Sequence, residues 1–86
     1  MTFDKLKEIL SKENINPAEY DILDKGCVAG FDGYTIEHSS SGYELYYMER
    51  GQKKLIACFA SEHEVCIAFL SAFVESGDPQ LQKYIQ

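Results

Sequence analysis

The stretch Tyr43-Glu-Leu-Tyr-Tyr-Met-Glu-Arg-Gly-Gln-Lys-Lys-Leu-Ile-Ala-Cys-Phe-Ala60 decides how the rest of the chain is read. Two runs rich in aromatic and aliphatic residues flank a polar break centred on Gly51, the pattern of a β-hairpin. Both runs are apolar on both of their alternating faces, which is unusual for a sheet covered on one side only. With a two- or four-residue loop, Glu49 faces Lys54, Tyr47 faces Ile56 and Leu45 faces Cys58. Glu44, Tyr46, Met48, Leu55, Ala57 and Phe59 then share the opposite face, whereas a three-residue loop swaps the sides of the second run.

Upstream, Tyr34-Thr-Ile-Glu-His38 alternates with period two, setting Tyr34, Ile36 and His38 against Thr35 and Glu37. Ser39 to Gly42 is short enough to join this strand to the hairpin as a meander. Between Lys25 and Gly33 three glycines mark turns, and Tyr20 to Asp24 reads equally as an edge strand or an extended connection.

Downstream, Ser61-Glu-His-Glu64 has the capping-box form and opens an apolar run, which predicts a helix from Glu62 to about Ser76. Its broad stripe of Val65, Ala68, Phe69, Ala72 and Phe73 makes it the main partner of the sheet, with Gly77 as cap and Pro79 as stop. At the other end, Phe3, Leu6, Ile9 and Leu10 define a helix over residues 3–13 with Thr2 as its N-cap. Asp4 with Lys7 and Glu8 with Lys12 are spaced to pair on its outer side. Asn16-Pro17 ends this segment and opens a further helical turn, and a last short helix is expected through Leu81, Tyr84 and Ile85. The expected fold is α+β: an N-terminal helix, a three-stranded antiparallel meander and a C-terminal helix packed on the sheet, in a single domain over residues 1–86.

Composition narrows the function classes. No apolar run approaches the ~20 residues of a membrane span, and the N-terminal stretch is amphipathic rather than a secretion signal. Three cysteines without such a signal suggest free thiols in a reducing compartment, so a cytoplasmic location is expected. The net charge of −6 is concentrated. Glu19, Asp21, Asp24, Asp32, Glu37, Glu44 and Glu49 face a single base, Lys25, while the remainder of the chain balances seven acids with seven bases. That field repels nucleic acid and anionic membranes and favours a basic partner.

Candidate chemistry is thin. His38 and His63 stand near serines without a nucleophile motif, and no Gly-x-Ser-x-Gly elbow is present. Cys58, His63 and Cys66 form C-x4-H-x2-C, but only the last two make a close ligand pair, so both cysteines read better as small core hydrophobes. No cofactor or metal site is expected, nor is a catalytic set. What remains is Tyr34, Tyr43, Tyr46 and Tyr47 interleaved with carboxylates on two adjacent strands, too many rings to face one core.

Tyr47-Met-Glu-Arg-Gly-Gln-Lys53, the strand ending at Phe59, and Ser61-Glu-His-Glu-Val-Cys66 opening a helix with Phe69-Leu70 resemble small bacterial immunity proteins of polymorphic toxin and contact-dependent inhibition systems. Where those relatives carry tryptophan near the start of the central strand, this chain has Gly42-Tyr43. The resemblance covers the C-terminal half and implies an antidote that binds and blocks one cognate toxin domain. The residues expected to meet that partner are Asp24, Asp32, Glu37, Glu44, Tyr46 and Glu49. Two other readings fit the composition: an acidic nucleic-acid mimic that inhibits a DNA-binding enzyme, and a small metal- or thiol-dependent enzyme.

Overall fold

The computed structural model describes residues 1–23 and 32–85. Chain order is helix α1 (Phe3–Lys12), strand β1 (Tyr20–Ile22), strands β2 (Gly33–Ser39), β3 (Gly42–Glu49) and β4 (Gln52–Phe59), then helix α2 (Glu62–Ser76). Short 3₁₀ turns occupy Pro17–Glu19 and Pro79–Tyr84. The α+β class and the two flanking helices match the sequence reading, but the three-stranded meander needs correcting. Among the described residues the sheet has four strands in the order β1-β2-β3-β4, and β1 runs parallel to β2. Tyr20-Asp-Ile22 is therefore an edge strand, with Tyr20 beside Tyr34 and Ile22 beside Ile36.

Both helices and the C-terminal 3₁₀ turn lie on one face of this mixed sheet. Leu6, Ile9 and Leu10 of α1 meet Val65, Cys66, Phe69, Leu70 and Phe73 of α2, with Ile22, Ile36 and Leu45 beneath them and Leu81 closing the edge. Burial of these side chains, each contributing roughly 1.5–3 kcal/mol on removal from water, drives assembly of the two layers. Helix α2 starts and stops where its sequence signals say. The Ser61 hydroxyl accepts from the Glu64 N–H at 3.2 Å and donates to the Glu64 carboxylate at 3.0 Å. Gly77 takes φ of 126°, and Asp78 N–H closes the end on the Phe73 carbonyl. Helix α1 is capped by Thr2, and its ion pair is Lys5–Glu8 rather than the spaced pairs expected.

The β3–β4 hairpin carries the second correction. Its loop has two residues, Arg50 and Gly51, both at positive φ (52° and 78°), which suits the twist of a tight hairpin. Glu49 therefore stands opposite Gln52, and Tyr47 opposite Lys54; the Glu49–Lys54 pair survives only as a diagonal contact of 3.9 Å. Farther along, Tyr46 pairs with Leu55 but Leu45 pairs with Ala57, so Ile56 is an extra, unpaired residue. This bulge swaps the sides of the end of β4. Phe59 turns to the helix side beside Tyr43, and Cys58 turns to the opposite face beside Glu44. Cys66 is a core thiol as expected, while Cys58 is exposed rather than buried.

Candidate functional site: the outer face of the sheet

Alternation along β2 and β3 divides their side chains cleanly. Tyr34, Ile36, Leu45 and Tyr43 point to the helices, where Tyr34 packs edge-on to Phe69 at 6.4 Å and Phe3 meets Tyr43 at 5.2 Å. Thr35 and Glu37 on β2, Glu44 and Tyr46 on β3, and Lys53, Leu55 and Cys58 on β4 share the outer face, which no described helix covers. Thr35 and Met48 are nonetheless buried there, and the Thr35 hydroxyl donates to the Asp21 carboxylate at 3.5 Å.

Three of the six residues read from the sequence as partner contacts meet on this face. Glu37 and Glu44 are direct cross-strand neighbours, a like-charge pairing that costs stability. Each carboxylate has a local partner. Lys53 Nζ lies 2.7 Å from Glu37 and 4.2 Å above the Tyr46 ring, and the Tyr46 hydroxyl donates to Glu44 at 2.8 Å. The Glu37–Lys53 pair is partly exposed and contributes at most ~1 kcal/mol, so a competing cation can displace Lys53 at little expense. Leu55, opposite Tyr46, is 53% exposed and gives the patch an apolar rim.

The remaining three residues are elsewhere. Glu49 sits at the hairpin end, on the same side as Tyr47. Asp32 accepts from the Arg50 N–H at 3.0 Å and lines a cleft on the helix side of the sheet. Asp24 lies outside the described residues. The sequence reading puts Leu55 on the face of Glu44 and Tyr46 but does not name Lys53 there, whose place beside Met48 follows from the two-residue loop. The turn signal at Arg50-Gly51 would have supplied that register.

The clearest electrostatic mark of the patch is on Tyr46. Its phenol is pushed up to about 12 from an ordinary 10, first by the hydrogen bond to Glu44, then by burial and by the charges of Glu44 and Glu37. A raised folded-state value means that this bond's contribution to stability is complete below pH 10 and fades as pH climbs through about 12. Tyr84, bonded to Glu13, is raised as well, so ultraviolet titration of Glu44→Gln against the wild type should show one of the late-ionising tyrosines, Tyr46, move from about 12 toward 10. An unmoved tyrosine would remove the Glu44–Tyr46 bond from the description of the patch.

Burial, with a smaller push from Glu62, raises the Cys66 thiol to about 11, which leaves it a poor nucleophile. His38 packs against Tyr43 with ring centroids 5.2 Å apart and the planes tilted by 40°, and His63 Nδ1 lies 2.6 Å from the Met1 amine. Among the described residues no group of three or more His, Cys, Asp and Glu side chains is placed to hold a metal ion. No helix of the described residues is long and apolar enough to cross a membrane.

No family model, curated protein or solved structure matches the chain. The functional reading rests on the surface itself.

Proposed function

We propose that this chain is an immunity-type protein, a cytoplasmic non-enzymatic antidote that binds and neutralises a basic toxin domain through the outer face of its sheet. The observation that carries the reading is the juxtaposition of Glu37, Glu44 and Tyr46 on adjacent strands. A fold that sets two carboxylates side by side against its own stability has a use for them in the presence of positive charge. Tyr46 adds rigid contact area with a polar end, and Leu55 supplies apolar surface of the kind that anchors an interface. Immunity by stoichiometric binding needs no catalytic group, cofactor or metal from this chain. The motif over Tyr47 to Lys53 serves in this reading as scaffold: Arg50-Gly51 sets the turn that aligns Lys53 and Leu55 with the patch.

Binding of a basic toxin domain, sought first among the products of neighbouring genes, with loss of that toxin's activity, is the direct test. Replacing both Glu37 and Glu44 by glutamine should slow association with such a basic domain by about 10- to 100-fold at low salt, with a smaller effect at high salt. Stopped-flow or surface-based kinetics reads this out. Wild-type association rates in the double variant would overturn the assignment of the outer face.

A further inference from the structure

A cleft of about 230 Å³ opens on the helix side of the sheet, where the end of α2 meets the start of β2. Its walls are the rings of Tyr34, Tyr47 and Phe73, with Tyr34 lying 5.1 Å from each of the other two. Glu19, Asp32 and Asp78 stand around it. No lysine or arginine forms an ion pair with any of these three carboxylates among the described residues. Helix α2 adds negative potential of its own: its C-terminal end delivers the partial negative charge of the helix dipole, and its last turn contains no base to offset it. The hydroxyl of Ser76 in that turn is bonded to the Tyr34 hydroxyl at 2.7 Å, which holds the tyrosine wall to the helix end.

We infer that this cleft receives one arginine side chain of a protein partner. Size argues for a single side chain, since pockets for free small molecules usually run to ~300–1,000 Å³. Charge argues for a cation, because carboxylates, ring faces and a helix C-terminus all favour positive charge. Shape argues for guanidinium over ammonium. A planar group stacks on a tyrosine ring while its five N–H donors reach separated acceptors, which a compact, strongly hydrated ammonium does less well. The inference rests on the reading of a basic protein partner and gives that partner a second contact, distinct from the outer face.

Titration of the full chain with N-acetyl-arginine amide, followed by amide NMR, tests it. Shifts at Gly33, Tyr34, Tyr47, Ser76 and Gly77 are expected that stand apart from any at the outer face, with weaker binding of N-acetyl-lysine amide at these residues and none of the uncharged N-acetyl-citrulline amide. Glu19→Gln combined with Asp78→Asn, exposed or half-exposed isosteric changes that leave the core intact, should weaken arginine binding about fivefold or more. Glu37→Gln with Glu44→Gln should leave it unchanged. Equal binding of the citrulline probe, shifts centred on Tyr46 instead of the cleft, or no shift at all would each overturn the inference. A toxin blocked by the Glu19→Gln/Asp78→Asn protein as well as by the wild type would reject the cleft and retain the outer face. Arginine binding without any toxin interaction would reject immunity and retain the cleft.

Discussion

Phe69→Ala should bring the domain close to its unfolding threshold. The ring is fully buried, lies 5.1 Å from Phe73 and meets Tyr20 and Tyr34 edge-on at 6.3 and 6.4 Å. It is thus the point where α2, β1 and β2 are joined. Truncating a phenylalanine in such a place costs about 3–5 kcal/mol, lost transfer energy plus the cavity left behind. A domain of this length has a total stability of roughly 4–13 kcal/mol, at 0.05–0.15 kcal/mol per residue. Urea unfolding should show the midpoint falling by roughly a quarter or more of its wild-type value. Phe69→Leu, which keeps most of the volume, should lose only about 1 kcal/mol. A loss of that small size for the alanine variant would mean that the aromatic cluster is not the joint described.

The second large effect is expected at Gly33, and it acts through backbone rather than through a cavity. A Cβ added there would lie 2.0 Å from the carbonyl oxygen of Glu19 and 2.6 Å from its carbon. Neither atom can retreat without parting β1 from β2, because Tyr20 pairs with Tyr34 one residue later. Gly33→Ala should therefore cost about 3 kcal/mol or more, the upper range for overpacking with added strain at positive φ. Gly51→Ala makes the control. Its added Cβ meets nothing within 4 Å, so only the left-handed backbone is penalised, by about 1–2 kcal/mol. Hydrogen exchange should locate the Gly33→Ala damage in residues 20–22 and 34–36, and uniform loss of protection across the sheet would contradict a local clash.

These two positions also mark what the sequence could and could not tell. Helix α2 was legible to the residue because three independent local signals agree: the Ser61 cap, the apolar stripe and Gly77-Asp-Pro79. Strand β1 was ambiguous because three residues are too few for a period. Its pairing with β2 is made by a glycine fourteen residues beyond Glu19, and no nearby pattern announces it. The bulge at Ile56 was invisible for a different reason. Leu55-Ile-Ala-Cys-Phe59 is apolar without alternation, so no residue in it declares a side, and loop length alone leaves the faces of Cys58 and Phe59 open.

The candidate site follows the same logic. Glu37, Glu44 and Tyr46 were found together because period-two alternation alone places them. Asp32 lies where β2 begins, and its backbone direction there was not fixed by any run of alternating residues. Its carboxylate lines the cleft and not the outer face. Tyr34 and Tyr47 were counted as sheet aromatics. Their role as walls depends on Phe73 and Ser76, which arrive from the far end of helix α2.

The extra residue in β4 has a consequence for the molecule among its own copies. Among the described residues β4 is an outermost strand, eight residues long, free of proline and exposing Leu55 and Ile56. Those are the properties of a template for adding strand upon strand, the route by which folded domains pass into fibres. Ile56 interrupts it. Residues 52–55 and 57–59 follow different registers, so a straight incoming strand can match one half of the edge or the other but not both. Lys53 and Lys54 would repel an identical edge over the first half, so the bulge that turns Cys58 outward also works against growth of the sheet by edge pairing.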